Sequence, residues 1–95
     1  MKNKVLIIQA NYYKDISTAL LKSAKNELKN FAKINVISVP GVFEIPVVIS
    51  KNLKKYDGFV ALGCVIKGQT PHFDFISKST TDAIMNISVE SKKPV

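Results

Sequence analysis

Two uninterrupted apolar runs, at residues 5–8 and 59–66, constrain the fold of this chain more than any other feature of its sequence. A strand with one face in water alternates apolar and polar residues, whereas a continuously apolar strand is typical of a parallel sheet covered on both faces. Residues 34–39 add a third strand, rich in β-branched side chains and ended by Pro40 and Gly41. The sequence therefore predicts a parallel sheet enclosed by helices.

Helical patterns follow each predicted strand. The first helix is expected to begin with Asp15 as its N-cap, the second to hold Pro46 in its first turn, and the third to begin at about Asp74. Three stripes are predicted to face the core: Ile16, Leu20, Ala24, Leu28 and Phe31; Val48, Ile49 and Leu53; and Ile76, Thr80, Ala83, Ile84 and Ile87.

The element order is therefore β-α-β-α-β-α, within a single domain of residues 1–95. Alternating strands and helices predict an α/β fold, with three layers and right-handed crossovers. Pro94 and Val95 resemble the entry to a fourth strand. A three-stranded parallel sheet would leave an apolar edge open to other chains, so we expect the 95-residue chain to associate or to be poorly soluble.

Composition excludes several classes of protein. No apolar run approaches the roughly 18 residues that a membrane-spanning helix needs, and the single cysteine, Cys64, excludes a disulfide framework and a cysteine-based zinc cluster. The net charge is +7, but all 14 basic residues are lysines, spread along the chain. Because arginine is the usual residue for bidentate base and phosphate contacts, we expect solvated lysine faces and no nucleic acid partner. The short apolar runs predict no membrane partner, and the single cysteine is typical of a protein of the reducing cytoplasm.

Ligands of open parallel sheets bind beyond the carboxyl ends of the strands. That rule selects residues 11–14, 40–44 and 67–74, which include the only histidine and several aromatic residues. His72 is either an exposed structural residue or a proton carrier, since imidazole titrates close to neutral pH. Asp74 could orient His72, although a cap on the third helix is the preferred interpretation. Residues 68–70 resemble a weak anion-binding turn.

The other candidate residues also have two interpretations each. Glu44 either favours a helix N-terminus through the helix dipole or holds a polyhydroxylated ligand. Tyr12 and Tyr13 either pack on neighbours or stack on a flat ring. Cys64, with apolar residues on both sides, is expected to be an inert buried thiol rather than a nucleophile.

Two long segments, VPGVFEIP at residues 39–46 and ALGCVIKGQTPHFD at residues 61–74, resemble the signature stretches of the lumazine synthase family. Residues 12–16 resemble its first loop. The resemblance implies a flavodoxin-like fold, no metal or cofactor, and sites between the subunits of a pentamer or a larger assembly. It implies condensation of 5-amino-6-(D-ribitylamino)uracil with 3,4-dihydroxy-2-butanone 4-phosphate in riboflavin biosynthesis.

The resemblance also implies roles for individual residues. Tyr12 matches an aromatic residue that stacks on the pyrimidine, and His72 matches the proton-transfer residue. The remaining matches fall into three groups: Val42, Phe43 and Glu44 for the ribityl chain, Cys64, Val65 and Ile66 for backbone contacts to the pyrimidine, and Gln69 and Thr70 for the substrate phosphate.

The sequence departs from the family at its end. The family's chain continues into a fourth strand and further helices, which supply an arginine for the phosphate and an aromatic residue for the neighbouring site. We therefore expect the chain to be the N-terminal two-thirds of a family member. The alternatives are a truncated, inactive relative that only binds a ribityl-pyrimidine or flavin, and an assembly protein without a site, against which the retained Glu44, Thr70 and His72 speak.

Overall fold

The computed structural model of the protein describes residues 3–68 and 72–95. Its elements follow the predicted order. They are β1 (Asn3–Ala10), α1 (Lys14–Leu28), β2 (Ala32–Val39), a 3₁₀ turn (Val42–Glu44), α2 (Ile45–Lys51), β3 (Gly58–Leu62) and α3 (Phe73–Ser91).

The three strands form one parallel sheet in the order β2-β1-β3. The register of β1 runs from Asn3 opposite Ala32 to Ala10 opposite Val39 on one side. On the other side, β1 pairs with the whole of β3. The central strand carries Leu6, Ile7 and Ile8, each with 0% of its surface exposed. The predicted parallel α/β fold, flavodoxin-like in its strand order, is confirmed.

Helices cover the two faces of the sheet. Leu6 and Ile8 pack with Ile45 and Ile49 of α2 in the main core, to which Ile84 and Ile87 of α3 add partly buried side chains. Because successive side chains of a strand point to opposite faces, Ile7 lies on the other face. Helix α1 contacts all three strands. The inward-facing stripe predicted for the second helix is borne out, since Val48, Ile49 and Leu53 lie in or against the core. In the third helix, Ile84 and Ile87 pack against the core as predicted, whereas Ile76 lines a surface cleft.

The start and the buried stripe of α1 differ from prediction. The helix begins at Lys14 with Tyr13 at the N-cap position, and Asp15 lies in its first turn instead of capping it. Ile16 is 39% exposed and Phe31 is 71% exposed, whereas Ser17 is buried and its hydroxyl donates to the Lys14 carbonyl at 3.1 Å. The helix ends at Leu28, so the helical period no longer applies at Phe31.

The third strand is shorter than predicted, because it ends at Leu62 and residues 63–66 leave the sheet. Its pairing with β1 stops at Gln9. An apolar sequence alone does not reveal where a partner strand ends, which is why residues 63–66 had the appearance of strand.

The outer edge of β3 is contacted at its beginning by the last residues of the chain. The Phe59 amide donates to the Pro94 carbonyl at 3.0 Å, and Val95 packs against the core. Lys92 ends α3 in the left-handed region, with φ of 60°. The Lys93 ammonium donates to the carbonyls of Leu53 and Tyr56. Pro94 thus lies beside β3, where the entry to a fourth strand was expected.

Within residues 3–68 and 72–95, none of the helices combines the length and the apolar character needed to cross a membrane.

Candidate functional site

A cleft of about 370 Å³ lies at the carboxyl ends of the strands, where the fold type predicts a ligand. Three segments that are distant in the sequence form its walls, and α3 contributes one side chain. The lining residues are Ala10, Tyr12, Tyr13, Gly41, Val42, Phe43, Glu44, Cys64, Val65 and Ile76.

The first wall is the short connection between β1 and α1. The Asn11 amide donates to the Val39 carbonyl at 3.0 Å, which holds this connection against the end of β2. The rings of Tyr12 and Tyr13 meet edge to face, with centroids 4.9 Å apart. Tyr12 remains 73% exposed. An exposed aromatic ring beside a cleft offers a flat surface for stacking on a ligand ring.

The second wall is the 3₁₀ turn that precedes α2. The Glu44 amide donates to the Gly41 carbonyl at 3.2 Å, which closes the turn. Glu44 stands at the N-cap position of α2, and its side chain makes no capping hydrogen bond there. The exposed carboxylate therefore lies both near the start of a helix and in the wall of the cleft, so the dipole and the ligand-holding interpretations of Glu44 are compatible.

The third wall follows β3, where the chain leaves the sheet. Cys64 and Val65 line the cleft and are partly buried. Cys64 has a free thiol. Residues 63–66 lie outside the strand, so their backbone groups are not committed to the pairing between β1 and β3. Backbone groups of this kind are available to hydrogen-bond a heterocyclic ring. Ile66 does not line this cleft.

His72 lies on a neighbouring apolar cleft of about 510 Å³, formed with Phe43, Phe75 and Ile76. Phe43 and Ile76 line both clefts, so the two are adjacent. The rings of Phe43 and Phe75 stack with centroids 6.3 Å apart. His72 occupies the N-cap position of α3 and is exposed. The predicted cap at Asp74 is wrong, because Asp74 lies within the first turn.

The electrostatics of α3 include one ion pair, which is separate from both clefts. The Lys78 ammonium donates to the Asp82 carboxylate at 2.7 Å on the exposed side of the helix. This hydrogen bond and the charge of Asp82 raise the pKa of Lys78. Among the residues that the structure describes, no three His, Cys, Asp or Glu side chains are grouped so that they could hold a metal ion.

The fold thus brings most of the predicted site residues together. Six of them line the first cleft: Tyr12, Val42, Phe43, Glu44, Cys64 and Val65. His72 lies on the adjacent cleft. Gln69 and Thr70 lie outside the described residues.

Sequence reasoning did not assign Ala10 or Ile76 to the site, and it included Gly41 only as part of the segment 40–44. Ala10 is the last residue of β1 and Gly41 precedes the 3₁₀ turn, so the rule on strand ends points to both. Ile76 was expected only in the core.

Comparison with known proteins places this geometry in a family. The sequence profile described as 6,7-dimethyl-8-ribityllumazine synthase matches residues 2–95. Proteins of that name from Agrobacterium fabrum and Bartonella tribocorum are 42% and 44% identical to the chain and match 99% and 96% of it. The protein of that name from Corynebacterium kroppenstedtii is 41% identical over 97% of the chain.

The chain is shorter than these relatives. It spans 69% of the Agrobacterium protein, 63% of the Bartonella protein and 58% of the Corynebacterium protein. The similarity thus covers nearly all of this chain and about three-fifths of the relatives' length.

Proposed function

Because the chain belongs to the 6,7-dimethyl-8-ribityllumazine synthase family, we propose that it forms the substrate-binding part of a transferase acting in riboflavin biosynthesis. The substrates proposed are 5-amino-6-(D-ribitylamino)uracil and 3,4-dihydroxy-2-butanone 4-phosphate. One observation carries the proposal. The fold gathers Tyr12, Glu44 and Cys64 from three separate segments into one cleft of about 370 Å³, a volume suited to a small polar heterocycle.

Each wall of the cleft has a part in binding the uracil substrate. Tyr12 stacks on the pyrimidine ring, and the backbone around Cys64, Val65 and Ile66 hydrogen-bonds its edge. The turn that holds Val42, Phe43 and Glu44 receives the ribityl chain, whose hydroxyls donate to the carboxylate. This division of roles matches an exposed aromatic ring on one wall and an exposed carboxylate on another.

The reaction needs little covalent help from the protein. An amine of the uracil attacks the ketone, and water leaves as a Schiff base forms. Phosphate is then eliminated, and a second water is lost as the ring closes. Most of the rate gain would come from holding two substrates in a reactive alignment. His72, on the cleft adjoining the uracil site, would transfer protons. Gln69 and Thr70 would receive the phosphate.

We also propose that the site is completed by self-association, as a pentamer or a larger assembly, in the cytoplasm and without a nucleic acid or membrane partner. The exposed apolar side chains of Phe43, Phe75, Met85 and Val89 support the binding of another protein chain along α3 and at its N-terminal end.

A second candidate function is binding of a ribityl-pyrimidine or flavin without turnover. The gathering of Tyr12 and Glu44 in one cleft supports it, because an aromatic ring and a carboxylate are sufficient for binding.

An activity assay with the two substrates, in which the formation of 6,7-dimethyl-8-ribityllumazine is measured, tests the proposal directly. In parallel, the binding of a ribityl-pyrimidine to the wild type and to Tyr12→Ala is measured by calorimetric titration. Formation of the product with weakened binding in the variant supports the transferase. Binding without product supports the second candidate, and failure of the wild type to bind would contradict both.

A further inference from the structure

Gly63 lies where the chain leaves β3, directly beneath the 3₁₀ turn of the cleft. A β-carbon added at Gly63 would lie 2.3 Å from Val42 Cγ1. Carbon atoms that are not bonded to each other pack at about 3.5–4.0 Å, so the two atoms could not both keep their places. Gly63 does not have a positive φ. The position therefore requires glycine for the close approach of the turn, not for an unusual backbone conformation.

The clash has no inexpensive solution on the Val42 side. A long flexible side chain would swing its end away, but valine is β-branched, with a restricted χ1 and its methyl groups one bond from Cβ. Val42 also packs against the main core. Relief must therefore come largely from the backbone of the turn.

A shift of the turn would also move Phe43 and Glu44, because they follow Val42 in the same turn. Both line the cleft. Val42 and Val65 also line a second cleft of about 310 Å³ between β3 and α3, so the two clefts are adjacent.

We propose that Gly63 is a positioning residue, which lets the turn Val42–Glu44 settle onto the end of β3 and so fixes Phe43 and Glu44 in the ligand cleft. The identity of the ligand in this inference rests on the proposed function, whereas the contact between Gly63 and Val42 is independent of it. The structure also indicates that Val42→Ala would relieve the clash created by Gly63→Ala. Without Cγ1, the nearest Val42 atom to a new β-carbon is Cβ at 3.5 Å, an ordinary van der Waals contact.

The test is a double-substitution cycle in the protein, with Gly63→Ala, Val42→Ala and the pair. Binding of riboflavin, which carries a ribityl chain on a flat ring, is measured by calorimetry, and the Phe43 and Glu44 amide resonances by NMR. Gly58→Ala is the matched control. It adds a β-carbon to the other end of the same strand, 3.3 Å from Pro94 Cγ and away from the turn.

Gly63→Ala is expected to weaken riboflavin binding by about tenfold or more and to shift both amide resonances, whereas Gly58→Ala changes neither. The double variant is expected to bind riboflavin with an affinity within about twofold of that of Val42→Ala alone. The reason is that the β-carbon added at position 63 no longer clashes once Val42 Cγ1 has been removed. Additive losses, or unmoved Phe43 and Glu44 resonances in Gly63→Ala, overturn the inference. If the wild type does not bind riboflavin, the proposed function fails, and the resonances still decide the role of Gly63.

Discussion

At the scale of single residues, the two aromatic side chains Tyr12 and Phe43 of the candidate site are far more exposed than the central strand of the sheet. Tyr12 is 73% exposed and Phe43 is 55% exposed, whereas Ile8, two residues before the end of β1, is fully buried. Aromatic surface left in water costs free energy that burial against a ligand or another protein would recover. Substitutions at these exposed positions should therefore change binding more than they change folding.

His72→Ala is expected to slow lumazine formation by about 10²–10⁴-fold, the usual contribution of a general acid–base group. The fold should survive, because His72 is exposed and its side chain makes no capping bond to α3. Steady-state rates between about pH 5 and 9 and thermal melting of both proteins provide the measurement. An unchanged rate and pH profile would remove His72 from the mechanism.

Glu44→Ala is expected to weaken binding of a ribityl-pyrimidine by about tenfold, while binding of the phosphate substrate changes less. The reason is that a ribityl hydroxyl loses its acceptor, which costs about 1–3 kcal/mol when the ligand is desolvated. Glu44→Gln is the matched control, since the amide keeps an acceptor oxygen and removes only the charge. Calorimetric titration measures both variants. Affinity of Glu44→Ala within twofold of the wild type would leave Glu44 with its helix-dipole role alone.

At the scale of elements, the short helix α2 has one side buried against the sheet and one side exposed to solvent. Ile49 is fully buried in the main core, and Val47, two residues earlier, is 54% exposed. A helix of seven residues gains little stability from its own hydrogen bonds, so packing on the sheet must hold it in place. Because the 3₁₀ turn leads directly into α2, the same packing supports one wall of the cleft.

Ile49→Ala is therefore expected to lower the free energy of unfolding by about 2–5 kcal/mol, the cost of the lost burial and the cavity left behind. Val47→Ala, on the exposed side of the same helix, should change it by less than about 0.5 kcal/mol. Urea unfolding of the two variants provides the comparison. Equal effects at the two positions would show that α2 does not pack as described.

At the scale of the whole molecule, the chain exposes more surface than its mass explains. Its accessible surface is 6492 Å², whereas a compact monomer of 10.5 kDa is expected to expose about 5,400 Å². The excess agrees with a flat shape, whose principal extents are 45, 30 and 16 Å. Part of this surface is apolar, including Phe75, Met85 and Val89 along α3.

We expect the 95-residue chain to self-associate in solution at physiological ionic strength. Apolar surface favours association, and the net charge of +7 opposes it only weakly, because salt screens charges beyond about 8 Å. Light scattering of the wild type, set against a Phe75→Lys/Val89→Lys variant, measures the effect. The variant should be smaller in solution. A wild type that stays monomeric at all concentrations would contradict the expectation.

Much of the fold is determined by sequence features that act locally. The apolar run around Ile7 is typical of a strand buried on both faces, and β1 is such a strand. The run around Phe59 also forms a strand, but as the edge strand β3 it is half-buried beyond Phe59. The spacing of Ile84 and Ile87 likewise specifies which face of α3 meets the sheet. Such patterns also select the segments after each strand as the place for a ligand. The long segments at residues 39–46 and 61–74 then identify the family.

Only the tertiary structure decided features that depend on contacts between distant segments. The end of β3 at Leu62 depends on where β1 ceases to pair, and the exposure of Ile16 depends on how α1 packs against the sheet. His72 lies in the same sequence segment as Cys64, yet the two line different clefts. The need for glycine at position 63 becomes visible only when Val42, from another segment, is seen resting on it. Local patterns specify which residues are buried, whereas packing between segments decides which residues meet.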